Sequence, residues 1–373
     1  MSSVLLFMQQ RIKILHVQLL PLLSGVQRVS LNEIMHLKRD FDYSLVCANE
    51  GPLTDALNEI NVPCYTIPEF CREISIVRDL KALLALFKLI RKENFDVIHT
   101  HSSKTGVLGR IAAKFAGVRK VIHTVHGYAF PAATSKKTYF LYLFLEWFAK
   151  FFTDELIVLN EGDKNIAINR LGYSGEKVHI IPNGVDTDKF VPNMTAKSSK
   201  KIKLIMVGRL WPQKDPKTLF RAIKKLLDEN VCVSVTYVGD GELMHELKNL
   251  ASNYSENINF LGWKDNIAEL LPQHNIFVLP SLWEGMPLAI LEAMSCGLPC
   301  LVTNIPGNND LVKNGYNGFL FEVADDEQLA FLIKQYYQYP DMLSQHAENA
   351  RIYVQNHFTL NARNDSVSKV YKS

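Results

Sequence analysis

Short apolar runs alternate with helix-length amphipathic stretches along nearly the whole chain, and that alternation leaves few architectures open. Residues 12–20, 43–48, 64–67, 96–101, 121–126 and 155–159 are apolar runs of strand length, while 26–38 and 76–93 carry the three-to-four-residue spacing of helices. The alternation starts again at 203–207, two more strands end at Val238 and Phe260, and a further apolar run follows at 276–279. Strand, helix, strand in repetition is the pattern of an α/β fold, a parallel sheet with helices on both faces, because parallel neighbours must be joined by a crossover. A chain of 373 residues exceeds one ordinary core. Two α/β domains are therefore expected, 1–186 and 187–357. Turn chemistry around 182–188 and a polar, Lys/Ser-rich linker at 193–201 lie between them.

Composition narrows the classes. At 47% hydrophobic and 21% charged residues the chain is a soluble globular protein and not a disordered one. A net charge of +3 does not suggest a nucleic-acid partner. Residues 1–10 lack the basic start and long apolar core of a signal peptide, and the longest uncharged stretch, 14–27, is too short to span a bilayer. A cytoplasmic protein is expected. The six cysteines include no C-x-x-C pair and read as buried small hydrophobes.

The stretch after the run 276–279 carries most of the chemistry. A Gly-containing turn with Glu284 and Gly285 leads into a helix that begins at about Pro287, where a first turn tolerates proline. The backbone N–H groups of Met286, Leu288 and Ala289, with the positive end of the helix dipole, form an anion site beyond the strand. Glu284 in the loop and Glu292 eight residues on can accept hydrogen bonds from hydroxyls while the amides hold phosphate, a combination suited to a sugar nucleotide. Gly208 and Arg209 end the strand 203–207, and Lys214 follows five residues later. An Arg fork and a mobile Lys charge on one such loop can hold two phosphates.

Glu284 and Glu292 with seven residues between them, Gly285-Met286-Pro287-Leu288 after the first and Ala293-Met294-Ser295-Cys296-Gly297-Leu298-Pro299 after the second, resemble the signature of retaining family 4 glycosyltransferases. The context of Arg209 and Lys214 is similar to that family too, and residues 99–110 resemble bacterial members that build surface polysaccharides. The resemblance implies the GT-B fold, two Rossmann-like domains facing across a cleft, with the C-terminal helix in 358–373 packed back on the first. It implies transfer of a sugar from a nucleoside-diphosphate donor, a UDP-sugar, to a lipid-linked saccharide on undecaprenyl diphosphate. Arg209 and Lys214 would contact the pyrophosphate, Glu292 the ribose, Glu284 the donor sugar, and His126 the sugar ring. Gly262 and Trp263 would lie near the base. Where the family usually has two glycines in the first strand's loop, this chain has Ser24 and Gly25, assigned to the donor side. A nucleotide-sugar epimerase of the same fold and an inactive GT-B binding subunit are the alternatives.

No metal or other cofactor is expected. His99 and His101 point to one face and His123 and His126 bracket the next strand's end, but no matched carboxylate accompanies the four imidazoles. Asp186 and Asp188 form an Asp-x-Asp in a turn, where Asp favours capping. Finally, Lys104, Arg110, Lys114, Arg119, Lys120, Lys136, Lys137 and Lys150 stand against Glu146 alone between Asp96 and Asp154, around the aromatic, helix-length run 139–152. A core helix accounts for the apolarity; the basic flanks point to peripheral contact with an anionic membrane surface, on the inner face of the cytoplasmic membrane.

Overall fold

The computed structural model describes residues 11–130, 135–193 and 201–373. Residues 1–10 and most of the expected linker lie outside that set. The chain forms two compact units: the first runs to Ile181 and takes back Asn364–Ser373, and the second is Pro182–Arg363.

The first unit is built on seven parallel strands: β1 (Lys13–Val17), β2 (Asp42–Cys47), β3 (Cys64–Thr66), β4 (Val97–Thr100), β5 (Lys120–Thr124), β6 (Glu155–Val158) and β7 (Val178–Ile180). Their order across the sheet is β3-β2-β1-β4-β5-β6-β7. Successive residues face opposite sides of a strand, and the core follows: Ile14, Leu45, Val97 and Ile122 pack on one face, Leu15, Val46, Ile98 and Val121 on the other. Val367, Val370 and Tyr371 of the last helix, Leu360–Lys372, enter the first of these cores.

The second unit has six parallel strands: β8 (Ile202–Val207), β9 (Val233–Val238), β10 (Ile258–Phe260), β11 (Ile276–Leu279), β12 (Cys300–Thr303) and β13 (Gly318–Phe321), ordered β10-β9-β8-β11-β12-β13. In each sheet the chain winds outward one way and then the other. The reversal falls between β1 and β4 in the first unit and between β8 and β11 in the second. Loops leaving the carboxyl ends of two such strands part there and leave a crevice, the usual place for a ligand in open α/β sheets.

Three readings need correction. The strands Val178–Ile180, Cys300–Thr303 and Gly318–Phe321 have no counterpart among the apolar runs read from the sequence. Of the cysteines, Cys47, Cys296 and Cys300 are buried, but Cys64 and Cys71 are only partly so and Cys232 is exposed. The aromatic run is not a core helix: in the helix Lys136–Ala149 only Glu146 and Ala149 are buried, while Phe140, Leu141, Phe144, Trp147 and Phe148 stand exposed.

Candidate active site

At the reversal of the second unit, two loops are laced into one surface. Gly239, at the end of β9, has φ +130°, and a Cβ there would lie 2.0 Å from the Gly208 carbonyl, so only glycine permits this approach. Its N–H reaches the Gly262 carbonyl at 2.8 Å, which draws in the loop after β10. Past β8, Arg209 lays its guanidinium over the Trp211 ring at 4.6 Å. The turn Pro212–Lys214 then meets the loop after β11: Leu282 N–H donates to Gln213 O at 2.8 Å, and Gln213 Nε2 donates to Trp283 O at 3.0 Å.

This lacing sets Lys214 Nζ on Glu284 Oε1, which also accepts from Ser281 Oγ at 2.6 Å. The Lys214 and Glu284 side chains are only 15% and 7% exposed, so the pair works in a partly desolvated place. Both bonds land on Oε1; Oε2 of Glu284 has no partner among the described residues. The loop is clamped from two sides. A Cβ at Gly307 (φ +86°) would come within 2.2 Å of Gly285 O, and Asn183 Nδ2 donates to Met286 O at 2.8 Å. The helix runs Leu288–Ser295, starting one position after the expected Pro287, which is its N-cap, and Glu292 is buried in its second turn. The Leu288 and Ala289 amides precede the first residue able to bond back along the helix, Ile290, which reaches Pro287 O at 3.2 Å. Met286, by contrast, is tied down through its carbonyl and sulfur to Asn183. Cations, orphan amides and carboxylates thus share one strand-end surface, which can bind an anion and hydroxyls together. Trp263 is half exposed, with Nε1 donating to Asp265 Oδ1 at 3.2 Å, and Gly262 beside it is open.

The first unit's reversal is built from different groups. Ser24 is the N-cap of the helix Gly25–Leu37, yet its hydroxyl donates to Gln27 Oε1 at 2.5 Å instead of accepting from a helix amide. A Cβ at Gly25 would meet nothing within 4 Å. Half-buried His126 follows β5, and its Nε2 lies 3.2 Å from His101 Nδ1. The four histidines singled out in the sequence do not gather as one group. His123 turns to the other face, 2.8 Å from Thr100 Oγ1, under Gly106, where a Cβ would sit 2.7 Å from its ring. Its place is taken by His16 on β1, which with His99 and His101 forms a buried cluster beside Glu33. Sequence reasoning misses His16 and Glu33 because their nearness to β4 exists only once β1 and β4 pair, with His16 opposite His99.

Residues 23–189 match the family described as Glycosyltransferase Family 4, and residues 188–353 match Glycosyl transferases group 1. An Escherichia coli protein named UDP-Gal:alpha-D-GlcNAc-diphosphoundecaprenol alpha-1,3-galactosyltransferase is 46% identical over 380 residues, with 97% of each chain covered. The chain belongs to glycosyltransferase family 4. This glycosyltransferase is also 26% identical to the Staphylococcus aureus capsular polysaccharide biosynthesis glycosyltransferase CapM, across 86% of this chain and 87% of that one. Anabaena HepE, solved in complex with UDP and glucose, has the same GT-B fold at a TM-score of 0.84 and 20% identity, covering 97% of this chain and all of its own. In the glycosyltransferase the Asp-x-Asp shapes its own turn, since Asp186 Oδ1 accepts from the amides of Asp188 and Lys189, each at 3.0 Å.

Proposed function

We propose that this glycosyltransferase moves a galactosyl group, with retention, from UDP-galactose to an N-acetylglucosamine held on undecaprenyl diphosphate, in the assembly of a surface polysaccharide. The observation that carries the reading is the surface at the β8/β11 reversal, where Lys214, Glu284 and Arg209 stand beside the orphan amides of Leu288 and Ala289. The E. coli relative's named reaction supplies the sugars. As the sugar–phosphate bond breaks, charge grows on the departing UDP, and Arg209, Lys214 and those amides are the groups preorganised to receive it. Glu284 holds Lys214 through Oε1 and offers Oε2 to a hydroxyl of the donor sugar; Glu292 takes the ribose. His126 is assigned to the sugar ring. The departing phosphate takes the acceptor's proton on the same face, so no protein nucleophile enters and no metal is needed.

The outer face of the first unit supports work at a bilayer. Among the described residues no helix is long and apolar enough to cross a membrane. The helix Lys136–Ala149 exposes its aromatic face because Glu146 turns inward, where Arg110 Nη2 donates to it at 2.9 Å. The helix Ile76–Glu93 exposes Ile76, Val77, Leu80 and Leu84 among Arg78, Lys81 and Lys88, and the helix Ser103–Phe115 packs against both. Of the eight cations counted in the sequence, Arg110 and Lys120 are buried, and Lys104 and Lys114 pair with Asp79 and Asp154. Arg119, Lys136 and Lys137 remain exposed, the two lysines at the start of the aromatic helix, and Lys150 lies over the Trp147 and Phe151 rings. An apolar face rimmed by cations suits peripheral attachment to an anionic leaflet, where a lipid-linked acceptor resides.

Incubating the chain with UDP-galactose, UDP-glucose or UDP-N-acetylglucosamine and a synthetic lipid-diphosphate N-acetylglucosamine tests the reading by mass spectrometry. One added hexose from UDP-galactose is expected. No product from any donor would overturn the function, and conversion of the donor alone would point to an epimerase.

A further inference from the structure

Between β1 and β4 of the first unit, buried side chains form a continuous hydrogen-bonded row that ends on His126. Glu33 Oε1, fully buried, lies 3.4 Å from His16 Nε2. On the far side of the same ring, His16 Nδ1 is 2.8 Å from His101 Nε2, and His101 Nδ1 is 3.2 Å from His126 Nε2. The His16 and His101 rings are within 10° of parallel with centroids 4.9 Å apart, so they meet edge to edge, as an in-plane ring hydrogen bond requires. Glu33 is held by Tyr371, whose hydroxyl donates to it. That hydroxyl is 2.5 Å from His99 Nδ1, and His99 Nε2 is 2.7 Å from Thr124 Oγ1.

A neutral imidazole has one N–H and one lone pair, so every link forces the next. Tyr371 gives its one O–H to Glu33, so toward the imidazoles its oxygen only accepts; His16 Nε2, 3.4 Å from that oxygen, therefore donates to it and carries its lone pair at Nδ1. His101 must then donate from Nε2 and accept at Nδ1, and His126 must donate from Nε2. Burial and the surrounding imidazoles hold His101 well below the ordinary histidine range, so it stays neutral, as such a row requires. The branch through Tyr371 is consistent: its oxygen accepts from His99 Nδ1–H, which leaves His99 Nε2 to accept from Thr124.

We propose that Glu33, acting through Tyr371, His16 and His101, fixes the tautomer and ring orientation of His126, so that His126 carries its lone pair at Nδ1 and accepts a hydrogen bond from a hydroxyl of the bound sugar. The role of His126 toward the sugar rests on the function proposed above; the tautomer does not. Glu33, His16 and His101 are positioning residues. The row also gives the C-terminal helix a part in the site, since Tyr371 anchors the carboxylate at its root.

Nitrogen-15 NMR of the histidine-labelled full chain tests this, with the His126 signal assigned by its loss in His126→Gln. In the wild type a neutral His126 protonated at Nε2 is expected at neutral pH. The Nδ1–H tautomer, an imidazolium, or stoichiometric zinc on the purified protein occupying the His16, His99 and His101 nitrogens would overturn the proposal. His101→Leu removes both links and is expected to leave His126 averaging between tautomers and to lower kcat with UDP-galactose about tenfold, the scale of losing a group that orients another. His101→Asn keeps an oxygen near the Nδ1 position and should retain the tautomer and most of kcat. An unchanged His126 signal and kcat in a folded His101→Leu chain would overturn the row. If the signals respond as stated but His126→Ala transfers sugar normally, the row stands and the assignment of His126 to the sugar falls.

Discussion

The helices Lys136–Ala149 and Pro216–Asp228 each lie over a parallel sheet, one in the first unit and one in the second, and they meet solvent in opposite ways. The second buries Leu219, Phe220, Ile223 and Leu226 and carries ion pairs outward: Arg221 and Lys225 to Asp326, each 2.8 Å, and Lys224 to Asp228 at 2.7 Å. The first does the reverse, turning Glu146 inward and aromatic rings outward. Water is a sufficient environment for the second helix; the first is left with apolar surface that another apolar phase would cover. The carboxyl ends of the two sheets differ as well. One has hydrogen-bonded imidazoles, the other cations and orphan amides. One topology thus carries two chemistries, and side chains, not strand order, distinguish them.

The largest expected effect separates the two carboxyl ends. Arg209→Ala or Lys214→Ala removes a charge assigned above to the departing diphosphate, and each should lower turnover with UDP-galactose by about 100- to 1000-fold. Near-normal turnover in both folded variants would erase the distinction and the site with it.

Next comes the contrast between a buried and a surface ion pair. Glu146→Ala strands the fully buried Arg110, already left with one unpartnered nitrogen, and should cost about 3 kcal/mol in urea unfolding. Asp228→Ala, at an open surface pair, should leave the midpoint unchanged. Equal effects would mean that the inward turn of Glu146 does not anchor its helix.

The two outer helices can be compared directly on vesicles. Co-sedimentation should require anionic lipid and weaken with salt, and should fall about tenfold when Phe144→Asp removes the apolar insertion of one ring. Lys136→Glu and Lys137→Glu together should lower it further, while Lys225→Glu on the second unit should do nothing. Binding to neutral and anionic vesicles alike, or to neither, would remove the electrostatic part of the idea.

The smallest expected effect is none: excess chelator should leave turnover unchanged, because in the proposed mechanism Arg209 and Lys214 take the place of a divalent ion. Loss of activity restored by manganese would return Asp186 and Asp188, or the imidazoles, to consideration as ligands.

Much of the fold and of the charged loops after β8 and β11 is legible in the sequence. Residues 76–93 and 276–279 form the helix and strand that their spacing implies, and the loop carrying Glu284 leads into a helix as read. Such features are local: apolar period, a glycine turn and a helix start lie within a few residues of one another. The unread strands are short, and two of them are obscured by their neighbours. Cys300–Thr303 directly follows the Gly297-Leu298-Pro299 turn, and Gly318–Phe321 opens on a glycine that weakens any strand pattern.

The amino-acid order alone determined the α/β class, the two-sheet plan and the loop residues that bear charge, since each depends on neighbours in the chain. Tertiary structure decided which loops meet. Pairing of β1 with β4 sets His16 against His101, 85 positions away, and packing of the last helix on the first unit brings Tyr371 to Glu33 across 338. Packing likewise decided that Phe140, Phe144, Trp147 and Phe148 face outward while Tyr139, Tyr142 and Leu143 meet the core, because Arg110, fully enclosed, draws in the one carboxylate of their helix. Apolar composition says that a surface must be covered; only the fold says which side of the helix the protein itself has covered.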